Sequence, residues 1–159
     1  MNLLESLSAC FWFSPENKRN TFASILAGVL FFSGWWFLID TISVWPDKTT
    51  KTLHIVLGVM GTISLIMVNS VTQAQINGDV AMSGGCLEAR GARIWIFVGF
   101  VLGFAAIIAA VWQMIASFSD DSKSSNETHW PAISLLLQNV FIFLGSLVFK
   151  FGRSEDQWN

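Results

Sequence analysis

Charge is scarce in this chain: of 159 residues only 13% are Asp, Glu, Lys or Arg, the formal net charge is -2, and there are two histidines, two cysteines and no tyrosine. A face able to neutralise a phosphate backbone needs clustered Lys and Arg, so nucleic-acid binding is excluded as a function class. The two histidines, His54 and His129, stand apart from each other and from both cysteines, so there is no HExxH pattern and no Cys/His spacing that would hold zinc. No Ser and His are placed to face each other as nucleophile and base, and Ser83-Gly84-Gly85 follows no strand, so it reads as a flexible turn rather than a phosphate cradle. Asn77-Gly78-Asp79 lies in loop sequence without a second membrane aspartate at comparable depth, so an aspartyl intramembrane protease is not supported. Enzymatic catalysis, a cofactor and a resident metal are therefore not expected.

What the chain has in abundance is apolar surface. Hydrophobic residues make up 53% of it, including eight Trp and fourteen Phe, more than a soluble domain of this size can hide. Four runs approach or exceed the roughly 20 residues that cross a bilayer core: about 21–45, 53–75, 92–118 and 131–149. These predict one polytopic domain over 1–159, an all-α membrane protein built as a four-transmembrane-helix bundle with short loops. In 2–13, Leu3, Leu4, Leu7, Cys10 and Phe11 share one helical face, which predicts an amphipathic helix lying in the membrane interface.

Lys18 and Arg19 precede the first run, Arg90 and Arg93 flank the start of the third, and Lys150 and Arg153 follow the fourth; Lys48, Lys51 and Lys123 lie on the other side. The positive-inside rule then puts both termini in the cytosol, with the first span as an uncleaved signal anchor. The acceptor sequon at Asn126 falls on the lumenal side in that topology, a candidate glycosylation site close to the membrane. Cys10 and Cys86 both face the cytosol near the membrane; each is open to S-acylation or is a plain small residue, and no disulfide is expected.

Lipid supplies no hydrophobic force between helices, so close packing has to come from small residues. Gly99 and Gly103 form a GxxxG in the third run, supported by Ser24 and Gly28 in the first, Gly58 and Gly61 in the second, and Gly145 and Ser146 in the fourth. That face either packs within the chain or meets a partner. Counting inward from the expected lumenal boundary at about 1.5 Å per residue places Asp40 and Gln113 about 7 Å deep and Gln138 about 10 Å deep. A polar group in hydrocarbon needs a partner or water. Asp40 is therefore expected to accept hydrogen bonds from Gln113 and Gln138, to meet another protein's helix, or to reach water past Trp45. Asn69 and Asn139 lie deeper and suit interhelical hydrogen bonds. His54 and His129 fall on the lumenal rim near Asp120, Asp121 and Glu127. One reading has them sensing an acidic compartment; the plainer one makes His54 an interfacial cap beside Thr52 and His129 a neighbour of Trp130.

Several long motifs go further. Lys18-Arg19-Asn20, Ala23-Ser24-Ile25, Ala27-Gly28 and Phe31-Phe32-Ser33-Gly34-Trp35-Trp36 with Asp40 resemble the opening of the transmembrane protein 50 family, which includes fungal vacuolar protein sorting 68. Gly85-Cys86-Leu87, the run from Gly91 to Phe100 around Arg93, and Gln138 to Phe143 with Leu147 to Asp156 around Lys150 continue the likeness in order through nearly the whole chain. The resemblance implies a four-span protein of endosome, Golgi or endoplasmic reticulum, with no catalytic residue to carry over. It also implies a partner of the vacuolar protein sorting 55 or leptin receptor overlapping transcript type, in traffic from late endosome to lysosome or vacuole. Two other classes remain open: an accessory subunit or chaperone of an endoplasmic-reticulum membrane complex, and a small transporter, which would need a water-filled path to Asp40.

Overall fold

A computed structural model describes residues 15–45, 48–72, 75–76, 89–119 and 129–153. Among them are four long helices and no strand: α1 (Pro15–Val44), α2 (Lys48–Asn69), α3 (Ala89–Ser119) and α4 (Trp130–Gly152). All four are long and apolar enough to cross a membrane. The expected interfacial helix at 2–13, with Cys10, and the loop positions Cys86 and Asn126 lie outside the described residues.

The helix ends follow local rules. Pro15 opens α1, where its missing N–H costs nothing, and α1 stops at Val44, just before the Trp45-Pro46 pair whose sterics disfavour a further helical residue. α2 ends at Asn69 rather than near Gln75 as the hydropathy suggests. The reason is local: the Thr72 amide donates to Gln75 Oε1 at 2.9 Å while the Gln75 amide donates to Thr72 Oγ1 at 3.4 Å, the reciprocal pair of a capping box, which starts a new helical turn instead of extending the old one. At α4, Pro131 sits in the first turn and the amides of Ala132 and Ile133 both donate to the His129 carbonyl.

α4 is the hub: it packs against each of the other three, whereas α1 leans mainly on α4, touches α2 slightly and does not meet α3. Neighbours in sequence run antiparallel. Ala23 of α1 lies beside Gly152 of α4 and Thr41 beside Ser134, while α2 and α4 run the same way, with His54 beside Gln138 and Val71 beside Lys150. Small residues set the spacing. A Cβ at Gly34 would sit 2.9 Å from the Gln138 carbonyl oxygen, and one at Gly145 would sit 3.1 Å from the Ala27 carbonyl oxygen, so α1 and α4 approach backbone to backbone. Gly99 and Gly103 do the same for α3 and α2: a Cβ at Gly99 would stand 3.0 Å from Met67 Cβ and 3.2 Å from the Val68 nitrogen, and one at Gly103 would stand 2.7 Å from Ser64 Oγ. Ser64 Oγ closes the seam by donating to the Gly99 carbonyl at 2.6 Å. The Ser24 and Gly28 pair behaves differently. Ser24 is exposed, Gly28 has nothing within 4 Å of its would-be Cβ, and α1 instead turns Ala23, Ala27, Gly34, Leu38 and Thr41 inward.

The large apolar side chains point outward, among them Phe32, Trp36, Phe97, Phe104, Ile108 and Trp112. Little of the interior is large and apolar: Leu57, Ala110 and Leu135 form a cluster flanked by Leu53, Met60 and Leu136. This greasy exterior around a small and polar interior is the arrangement a bilayer selects.

Candidate functional site

The end of the bundle where α1 and α3 finish and α2 and α4 begin, hereafter the Trp45 end, gathers four of the eight buried polar or charged residues among those described: Thr41, His54, Ser134 and Gln138. His54, nearly two turns into α2, is 1% exposed, and Gln138, two turns into α4, is 0% exposed. Gln138 Nε2 donates to the His54 carbonyl at 3.0 Å, and Gln138 Oε1 lies 2.7 Å from His54 Nδ1. The other ring nitrogen, Nε2, lies 3.1 Å from the Pro131 carbonyl oxygen. Gly58 leaves the room for this: a Cβ there would fall 2.2 Å from Gln138 Nε2. A second strand of the network joins α1 to the same carbonyl. Thr41 Oγ1 donates to Ser134 Oγ at 2.6 Å, and Ser134 Oγ donates to the Pro131 oxygen at 3.0 Å.

Beside His54, a partly open cavity of about 120 Å³ lies between α2, α3 and α4, its polar wall made by Thr50, His54, Gln113 and Ser117. Ser117 Oγ in turn lies 3.3 Å from His129 Nδ1, and the His129 ring stacks on Phe118 with centroids 4.3 Å apart.

Asp40 is placed elsewhere. It is exposed, and its Oδ2 accepts a hydrogen bond of 2.9 Å from the Trp130 indole, with Trp130 and Phe141 both edge-on to Phe37 nearby. The expected bonds from Gln113 and Gln138 to Asp40 are not formed: Gln138 turns to His54, and Gln113 lines the cavity on the far side of α4. The physical reason is azimuth. Depth counted along the sequence puts the three groups in one layer, but α1 and α3 do not meet, so Asp40 and Gln113 share a depth without sharing a face. His54 likewise is not a cap at the rim but a core residue. A histidine near a span end beside Thr52 carries no sequence signal for burial; the Gly58 gap four residues on is the one trace of the neighbour that covers it.

The opposite, Arg19 end is tied by cations. Arg19 Nε donates to the Gly152 carbonyl at 3.1 Å, Arg93 Nε to the Ile76 carbonyl at 3.0 Å, and the buried Lys150 ammonium to the Val71 carbonyl. Positive groups at the carboxyl ends of helical segments meet the negative end of the helix dipole. Lys150, counted from sequence as a loop charge, is 7% exposed and joins α4 to the end of α2. Of the two deep asparagines, Asn69 Nδ2 donates across to Ser146 Oγ at 3.1 Å, whereas Asn139 Nδ2 donates to Leu135 of its own helix and its Oδ1 finds no hydrogen-bond partner among the described residues.

No group of three His, Cys, Asp or Glu able to hold a metal is present among the described residues. The arrangement clasps helices by hydrogen bonds; contrary to the sequence expectation, one Ser and one His do face each other, Ser117 Oγ lying 3.3 Å from His129 Nδ1.

A family profile described as Uncharacterised protein family (UPF0220) matches residues 2–158. The Transmembrane protein 50 homolog of Dictyostelium discoideum is 31% identical over 146 residues, covering 84% of this chain and 92% of that protein. No solved structure matches. Neither description is that of an enzyme, and four apolar helices of spanning length agree with both; the chain is a multi-pass membrane protein that belongs to this uncharacterised family, the transmembrane protein 50 family.

Proposed function

We propose that the protein is a non-enzymatic assembly subunit that binds another small multi-pass membrane protein through the outer face of α1, in traffic between late endosome and lysosome or vacuole. The observation that carries this reading is the position of α1. It is held on one side by α4, and the side turned away carries Gly28 with open space around it, Phe32 and Trp36 at 72% and 68% exposure, and the exposed carboxylate of Asp40. A small residue permits close approach of a second helix, two aromatics supply contact area, and an acid at the end of the face seeks a donor. Asp40 already accepts one bond from Trp130, and a carboxylate can accept more. The trafficking context is drawn from the likeness to vacuolar protein sorting 68, and the partner class from the same source.

In this reading both termini face the cytosol and the Trp45 end faces the lumen. A tag at Met1 or after Asn159 is then digested by protease in sealed microsomes, and one placed near Ser124 is protected. Co-purification in mild detergent tests the assembly role. Recovery of a vacuolar protein sorting 55 or leptin receptor overlapping transcript type protein, lost on Asp40→Leu with thermal stability intact, supports it. Recovery of a large translocation or glycosylation complex instead assigns the protein to the endoplasmic reticulum.

A further inference from the structure

At the Arg19 end, α1 and α4 form the sides of an open groove of about 540 Å³. Two small residues create it. α4 comes so close to α1 here that a Cβ at Gly152 would stand 2.7 Å from Ala23 Cβ, and the larger Phe22 and Leu26 on one helix and Val148 and Phe151 on the other line the trough beside that contact. Phe22, Leu26 and Phe151 are exposed, so the trough looks out of the bundle, where a spanning helix meets lipid. Its walls are hydrocarbon, and what matches them is an acyl chain.

One end of the groove is cationic. Arg19 lines it, and Arg19 Nε donates to the Gly152 carbonyl at 3.1 Å, which fixes the guanidinium at the mouth. The two terminal nitrogens of that guanidinium have no partner among the described residues, and they carry the forked donors that grip a phosphate. Lys18 and Arg153, both exposed, adjoin the mouth on the two helices, with Arg153 over the Phe149 ring at 4.9 Å from its centroid. Among the described side chains the carboxylate is that of Asp40, at the other end of α1. From Arg19 to Leu26 the groove runs about 10 Å along the helix axis, charged at the mouth and apolar below. From this arrangement we propose that the groove binds an anionic glycerophospholipid, its phosphate on Arg19 and one acyl chain between Phe22 and Phe151. A zwitterionic headgroup would set an ammonium beside Lys18 and Arg153 with no net charge to offset them, whereas an anionic one meets them with a charge of opposite sign. In the topology given above this end faces the cytosolic leaflet, where anionic lipids are found. The site is remote from Asp40 and does not depend on a partner helix binding there.

The full chain in mild detergent, titrated with dioleoyl phosphatidylserine or dioleoyl phosphatidylcholine, tests this by native mass spectrometry, which counts the lipids retained. The expected result is one phosphatidylserine held more strongly than phosphatidylcholine. Arg19→Gln should weaken phosphatidylserine retention by about tenfold or more, as for the loss of hydrogen bonds to a charged group, and bring it down to the phosphatidylcholine level. Arg90→Gln, which removes an exposed cation from α3 at the same end of the bundle, should leave retention unaltered. Val148→Trp fills the trough while keeping Arg19 and should reduce retention of both lipids, so the proposal stays testable even if Arg19→Gln fails to fold. Equal retention of the two lipids by the unaltered chain overturns the proposal. So does a loss in Arg90→Gln as large as in Arg19→Gln, which would mean diffuse surface attraction, and so does phosphatidylserine binding that Val148→Trp leaves intact. A dimer that carries no lipid also overturns it and gives the groove to a second copy of the chain.

Discussion

α3 and α4 are similar in hydropathy to the eye, yet they join the bundle by different chemistry. The residues α3 buries are all small, Ala92, Gly99, Gly103, Ala106 and Ala110, spaced by three, four and seven. Those α4 buries are largely polar, with Ser134, Gln138, Asn139, Ser146 and Lys150 among Ala132, Leu135, Ile142 and Gly145. The first helix is held by surface fit over a long line, the second by discrete hydrogen bonds at fixed points. In lipid neither gains from burying leucine, since the outside is as apolar as the inside. The small seam therefore should fail all at once when one bulky group separates the backbones, and the polar seam should fail bond by bond.

The sharpest way to break this comparison is on the small side. Gly99→Leu meets the Val68 nitrogen at 3.2 Å, backbone that cannot step aside, and Gly103→Leu meets Ser64 Oγ and the Phe143 ring inside 3.0 Å. Either should lower stability by about 3 kcal/mol, the upper range for overpacking, visible as a large drop in the temperature at which detergent-solubilised protein leaves the monodisperse peak. Unchanged stability would mean that α3 is not clamped by this line. On the polar side, Gln138→Leu removes both contacts to His54 and should cost about 1.5 kcal/mol, near the maximum measured for interhelical bonds in membranes. Asn139→Leu probes the same helix one residue on, where the side chain bonds only to its own helix; a shift within about 0.6 kcal/mol is expected, and a loss as large as that of Gln138→Leu would show that polarity alone, not bonding across helices, holds α4. The smallest effect belongs to Asp40. Asp40→Asn keeps an acceptor for Trp130 and should leave the melting temperature unchanged, and Asp40→Leu should lower it slightly. A collapse of either variant would make Asp40 a bundle residue instead of a surface one.

How far the sequence can be read follows from the same contrast. Four spans are legible because length and apolar composition are properties of a single helix, and so is the small-residue spacing of Gly99 and Gly103, although spacing leaves open what that face meets. The pairing of Asp40 was not. Rise per residue fixes depth, while the partner depends on which helices are neighbours, and an arrangement with α4 central and α1 remote from α3 leaves no mark in any one segment. Ser24 and Gly28 misled for a related reason: spacing shows that a helix has a smooth face, not that another helix in the chain uses it. His54 was hidden because its burial is created by Gln138 and Pro131, 84 and 77 residues away.

The central place of α4 also bears on how the molecule is made. It is the last of the four helices to leave the ribosome, and it brings the partners of Thr41, His54 and Asn69 as well as the backbone surface on which α1 rests. Until it arrives, three inserted spans carry polar groups with nothing to face but lipid, water or one another. Newly made chains thus pass through an interval in which a membrane chaperone has something to hold, and nonsense variants that stop in the loop before Trp130 would be delivered to membrane quality control as orphans rather than as shortened working proteins.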